Sequence, residues 1–258
     1  MHEDATGDRW TDDGAARVER GAKRVRAQLA GTFVADTTRP LLVWEHPHYP
    51  TYYVPEADVR LDLLRAEGES RSTPAGGHAE AHGLAVGERI VPGAAHWYRD
   101  GAADALRGYV RLDWGAMDAW FEEDEQVFVH PRDPYKRVDV LQSSRHVQIA
   151  VEGITIADSH QPRILFETGL PPRYYLPKPD VAMSCLEPTD TVTRCPYKGT
   201  ASYYAVKVQG TRRPDLAWWY PAPTWESALI AGYVCFYDER VEVTVDGVRQ
   251  VPPDTPFA

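Results

Sequence analysis

The 258-residue sequence is short of cysteine, lysine and long apolar runs, and each shortage removes a class of protein. Cys185, Cys195 and Cys235 are odd in number, widely spaced and without a C-x-x-C pair. That excludes a disulfide framework and a two-knuckle thiolate zinc site, and it predicts a reducing, cytoplasmic setting. No window approaches the roughly 18–20 apolar residues of a membrane span, so no membrane partner is expected. The opening MHEDATGDRWTDDG is acidic and polar, unlike a secretory leader. There is no Lys/Arg-rich run, and the net charge is −10. Nucleic-acid binders present a basic face, so a nucleic-acid partner is not expected either. Five lysines stand against 23 arginines, a bias of GC-rich genomes that points to a bacterial source.

What is present is a repeat. Gly31–Leu64 laid over Gly153–Leu186 at a constant offset of 122, without a gap, pairs Ala35 with Ala157, Asp36 with Asp158, Glu45 with Glu167, Tyr52 with Tyr174 and Tyr53 with Tyr175. Further on, His96–Tyr98 aligns with Trp218–Tyr220, and the Gly-Tyr-Val at Gly108 recurs at Gly232. The chain is a tandem duplication. It divides into a first copy over 1–123, an ordered linker over 124–140 and a second copy over 141–258, with the linker expected to pack between the halves. Arg132 and Asp133 in the linker are expected to form ion pairs joining the two copies. The acidic stretch Trp120–Glu125 reads as a solvated edge.

Within each copy the pattern is that of strands. His146–Val151 and Val241–Val245 alternate polar and apolar residues, and the second closes on Asp-Gly, a favoured hairpin pair. Twenty-one prolines leave little room for helix beyond short pieces in Gly14–Arg20 and Thr224–Ile230. The fold class is therefore mainly β, two tandem domains of antiparallel sheets with little helix.

PRYYLPKPDV, TRCPYKGTASYY, AWWYP and GYVCFY in the second copy, with the linker between copies, give the chain a resemblance over nearly its whole length to the tandem form of the domain of unknown function 427 family. The resemblance implies a β-tent fold, two sheets leaning together. It also carries a nucleotidyltransferase label. Such enzymes need clustered carboxylates for Mg²⁺ and a glycine-rich phosphate turn. Neither a D-x-D pair nor such a turn is found, so the label is rejected for this chain and no cofactor is expected.

The residues richest in chemistry lie in TRCPYKGTASYY, Thr193–Tyr204. Cys195 can serve as a nucleophile, because the thiolate is the reactive form and the Lys198 ammonium favours it. Glu167 can act as acid or base. Tyr175, Tyr197, Tyr203 and Trp218 can wall a pocket for a small organic ligand, with Arg145 and His146 as further lining. The same residues also fit a non-catalytic module whose aromatic cage holds a cation, or a packed turn in which Cys195 is a small buried apolar group. Redox repair is weaker, since no resolving cysteine is adjacent. In the first copy the motif has decayed, with Thr73, Ala75 and Gly76 standing for Cys195, Tyr197 and Lys198. Its His78, His82 and His96, with His46 or His48, offer imidazoles, but a loop of exposed histidines explains them better than a metal centre, and no metal is assigned.

Overall fold

The computed structural model describes residues 16–72, 77–99 and 104–255, apart from the side chains of 69–72, and it resolves the chain into two compact units, Met1–Asp133 and Pro134–Ala258. Thr73, Ala75 and Gly76 of the decayed motif lie outside the described residues.

Each unit holds a seven-stranded and a four-stranded antiparallel sheet. In the second unit the larger sheet runs in the order Val138–Gln142, Arg163–Glu167, Arg173–Leu176, Val234–Phe236, Thr211–Trp219, Gly199–Val208, Leu186–Cys195. The smaller runs Ile154–Ser159, Val147–Val151, Glu242–Val245, Val248–Arg249. The first unit repeats both orders, with Leu41–His46 and Tyr49–Pro55 in the large sheet, Val25–Leu29 and Thr32–Thr37 in the small one.

The duplication is visible in the hydrogen-bond register. Ala81 pairs with His96, as Tyr203 pairs with Trp218. The irregularities repeat as well: the ladder shifts between Ala27 and Gln28 and again between Ile149 and Ala150, between His82 and Leu84 and again between Tyr204 and Val206. Bulges re-aim side chains, so keeping them in place keeps the same positions facing the same side in both copies.

Local sequence explains the hairpins. Asp246 and Gly247 take φ of 51° and 77° between the paired residues Val245 and Val248. A two-residue turn with both residues left-handed matches the twist of the strands, and Asp-Gly adopts it cheaply. The expected helix within Gly14–Arg20 is not formed where it is described: Val18–Arg20 is a strand pairing with Leu41–Val43, because edge pairing outweighs a weak local preference. Thr224–Ile230 does wind, as the 3₁₀ helix Trp225–Ile230.

Two apolar layers flank the large sheet of the second unit. Val147, Ile149, Val151, Leu176, Val206, Ala217, Val234 and Phe236 fill the space between the sheets. Their strand neighbours Tyr175, Tyr203, Trp218 and Cys235 point to the opposite face and form a second cluster with Leu165, Tyr220 and Ile230. Period-two alternation puts i and i+1 on opposite faces, so this outer cluster follows directly from the inner core. The Trp225–Ile230 helix contributes Ile230 to it.

The two ends of the stretch expected to be a linker belong to the sheets, and 128–137 between them forms no strand. Glu125–Val127 pairs with Ala119–Glu122 in the first unit, and Val138–Gln142 is the edge strand of the second unit's large sheet. Arg132 and Asp133 take partners inside the first unit. Asp133 is buried and accepts a hydrogen bond from Trp44 Nε1 at 3.2 Å, while an Arg132 nitrogen lies 3.7 Å from Glu125. Nor is Trp120–Glu125 all solvated edge. Trp120 and Glu122 are buried, and Glu122 accepts hydrogen bonds from Tyr52 Oη and Lys23 Nζ. Among the described residues no helix is long and apolar enough to cross a membrane.

Candidate functional site

The outer face of the second unit's large sheet brings together Glu167, Lys198 and Cys195. Glu167 ends the strand Arg163–Glu167. Cys195 ends the strand Leu186–Cys195 and pairs with Gly199, so Pro196, Tyr197 and Lys198 form the turn between them. Lys198 Nζ donates to Glu167 Oε2, and Cys195 lies near enough to act on the lysine electrostatically. The two charged side chains are only 13% and 8% exposed. Burial presses the Lys198 pKa down, but the Cys195 sulfur and the Glu167 carboxylate outweigh it, and the ammonium is held above its ordinary value. A buried pair of this kind exists only because each charge compensates the other.

The turn is held from outside the hairpin. Thr224 Oγ1 donates to the Tyr197 carbonyl at 2.5 Å, Ser227 Oγ reaches the same oxygen at 3.4 Å, and Thr224 N donates to the Lys198 carbonyl at 3.2 Å. Gly199 makes this docking possible. Its φ is +96°, and a Cβ would lie 3.3 Å from the Ala222 carbonyl oxygen and 3.4 Å from Pro223 Cα. Gly199→Ala is expected to lower stability by about 1–3 kcal/mol, since a strained φ and a crowded Cβ act together. Urea denaturation measures it, and a loss below about 0.5 kcal/mol, the scatter of ordinary surface changes, would mean that the 222–224 segment yields easily.

Three of the four expected aromatic residues, Tyr175, Tyr203 and Trp218, pack in the outer cluster, and Tyr197 lies in the turn between Cys195 and Lys198. Trp218 Nε1 donates to Tyr175 Oη at 3.1 Å, and the Tyr203 hydroxyl meets Thr193 Oγ1 at 2.9 Å and Tyr237 Oη at 3.5 Å. Tyr175, Tyr197, Tyr203 and Trp218 are all buried. Burial pushes the Tyr175 and Tyr220 hydroxyls far up, so both stay protonated. The three cysteines are free of disulfides, and burial also pushes the Cys235 thiol well up.

Arg145 and His146 do not join this group. They lie at the start of Val147–Val151 in the small sheet, where Arg145 Nε donates to Asp246 at 2.7 Å and His146 Nε2 is 2.7 Å from Asp158 Oδ1. In the first unit His82 packs on Trp97 with ring centroids 5.7 Å apart. His96 pairs with Ala81, the residue before His82, so His82 and His96 sit on opposite faces of the sheet and cannot share an ion. His46 stacks on Tyr49 at 4.4 Å, and Tyr49 on His130 at 4.1 Å.

Three features lie outside the residues singled out in the Cys195 stretch. First, the shared glutamate has a different cation in each unit. Glu45 accepts from Arg111 Nε at 3.0 Å and from Tyr53 Oη at 2.6 Å. Arg111 occupies the register position of Cys235, opposite Tyr53 as Cys235 is opposite Tyr175. Where the second copy has cysteine, Lys198 supplies the charge from another strand pair. The Gly108/Gly232 alignment already sets Arg111 beside Cys235, so this signal was in the sequence. Second, Arg173 is buried with its guanidinium forked on Glu239, at 2.8 and 2.5 Å, and 3.6 Å from Asp238. Burial raises Asp238 to about 7, against the lowering pull of Arg173. Third, the first unit has a cleft of about 220 Å³ lined by Tyr49, Tyr52, Trp114, Trp120 and the Glu45–Arg111 pair, with Trp114 and Trp120 stacked at 4.9 Å.

A family model described as a domain of unknown function (DUF427) matches the chain twice, over residues 17–123 and 139–247. No curated protein matches it.

Proposed function

The chain belongs to the DUF427 family in both of its copies, and from that premise we propose that the second copy acts on a small electrophilic organic molecule through Cys195. The observation that carries this reading is the buried Lys198 ammonium, held by Glu167 with Cys195 beside it at the end of the same turn. A fixed positive charge beside a thiol favours the thiolate, and Glu167 keeps that charge in place and aimed.

In the step this arrangement supports, the Cys195 thiolate attacks a carbonyl carbon. The S–C bond forms, the C=O π pair moves to oxygen, and that oxygen takes a proton from Lys198 Nζ. The product is a thiohemiacetal and a neutral amine, which regains its proton from water. A reduced thiol agrees with a cytoplasmic setting, and the arginine bias agrees with a bacterial source.

The test is alkylation of the folded protein by iodoacetamide, read cysteine by cysteine by mass spectrometry. Cys195 should react at least about tenfold faster than Cys235, which is fully buried with its thiol pKa pushed up. If Cys195 stays inert until the protein unfolds, the enzyme reading falls. A non-catalytic binding role then gains, and its support is the aromatic cleft of the first copy rather than the second copy's cage. In the second copy the cation over Trp218 is the protein's own: Arg173 Cζ lies 5.8 Å from the ring centroid.

A further inference from the structure

We propose that the exposed face of the second unit's small sheet is a binding site for Zn²⁺ or a neighbouring first-row ion, held by His146, Asp158 and His160. The ladder between Val147–Val151 and Ile154–Ser159 pairs Val147 with Ser159 and Gln148 with Asp158. Continued by one residue, it sets His146 directly opposite His160. Val147 and Ser159 are buried, so His146, Gln148, Asp158 and His160 all lie on the outward face. Directly opposed residues of an antiparallel pair have Cβ atoms about 4.5–5.5 Å apart, a span that two imidazoles can close on one ion.

The side chains have already converged. One ligand atom from each of the three residues lies within 4.8 Å of the others. The imidazole rings of His146 and His160 stack with centroids 4.1 Å apart, and His146 Nε2 is 2.7 Å from Asp158 Oδ1. Bonds of about 2.0–2.1 Å to a tetrahedral ion need ligand atoms roughly 3.3 Å apart, which side-chain rotation alone can reach. Two imidazoles and one carboxylate suit zinc and its neighbours and leave at least one position open to water or an external ligand.

The first copy supplies an independent argument. At the same offset of 122 it has Arg24, Asp36 and Thr38. There the shared aspartate is closed by a forked guanidinium, Arg24 Nε to Oδ1 at 2.7 Å and Nη2 to Oδ2 at 2.5 Å. In the second copy the pair next to Gln148–Asp158 on this face is His146 and His160, and the neighbouring arginine, Arg145, is turned to Asp246. An exposed sheet face makes no packing demand for two facing imidazoles beside one carboxylate; a metal ion does.

The experiment is calorimetric titration of the full, chelator-treated chain with Zn²⁺. One equivalent should bind to the wild type, and the affinity should fall about 100-fold or more in His160→Thr and in the double variant His146→Arg/His160→Thr, since each removes a direct ligand where even an outer partner is worth 10–100-fold. The double variant reproduces the Arg24–Asp36–Thr38 arrangement that the chain already folds in its first copy, so it tests binding without a loss of structure. His48→Ala should bind as the wild type does. The proposal is overturned if the wild type binds no zinc, or if the double variant keeps the wild-type affinity and so shows the ion to lie elsewhere.

Discussion

Lys198→Met should destabilise the folded protein by about 3–5 kcal/mol, the usual cost of leaving one partner of a buried ion pair uncompensated. Methionine fills similar volume, so the loss reports charge rather than a cavity. Glu167 stays buried, with its side chain 8% exposed. No arginine stands in for the lysine, because the position that Arg111 fills in the first copy is here Cys235. Lys198→Met/Glu167→Gln should regain most of the loss, since neutralising both partners removes the orphaned charge. Urea denaturation of the wild type, both single variants and the double variant closes the cycle. Equal stability of Lys198→Met and wild type would mean that water reaches Glu167 freely, and the electrostatic case for an activated Cys195 would weaken with it. The same variant should also slow Cys195 alkylation, so stability and reactivity report on one contact.

Asp238→Asn should stabilise the protein by an amount that grows from about pH 4 to about pH 7. Burial raises this carboxyl from 3.8 to about 7 in the folded state. The folded protein thus holds a proton that the unfolded chain has already lost, and ∂ΔG/∂pH is negative between the two values. The stability tied to the protonated form is complete below about pH 4 and is lost as pH rises through about 7. At 1.36 kcal/mol per unit the full span is about 4 kcal/mol, an upper bound because local relaxation lets water in. Asparagine cannot ionise and escapes the loss. Arg173 is not orphaned, since Glu239 keeps its fork on the guanidinium. Glu239 itself is held low by hydrogen bonds from Arg173 and Thr255 that overcome its burial, so its stabilisation disappears only in acid, as pH falls through that lowered value. The two windows meet only near pH 4. Unfolding free energies should therefore match for variant and wild type at about pH 4 and differ by up to about 4 kcal/mol at pH 8, the gap opening steadily in between. A constant difference at both would assign Asp238 a charge throughout and remove the pH effect.

Both predictions turn on contacts between residues far apart in sequence, and there the sequence is least readable. Glu167 and Lys198 were both legible as candidates, because one recurs in each copy and the other sits in a cysteine–proline–glycine turn. Their bond across 31 positions was not. Arg173, Asp238 and Glu239 carry no motif. His146 was visible as an imidazole, but as a neighbour for Cys195. Strand pairing instead faces it towards His160 on the other sheet.

The sequence alone determined the duplication, the strand-rich class and the hairpin turns. A repeat at a fixed offset, alternation of period two and a residue pair such as Asp246–Gly247 are all properties of residues close together or in step along the chain. Tertiary structure decided which face of which sheet each side chain meets, and so which charge sits beside which. Period two assigns residues to alternate faces but does not say which strands become neighbours. Val18–Arg20 is a strand because Leu41–Val43 lies alongside it, and Val138–Gln142 is a sheet edge because Arg163–Glu167 does. Those pairings are fixed by burial of the whole core at once. The cation beside each shared glutamate, Arg111 in one copy and Lys198 in the other, is a consequence of that packing.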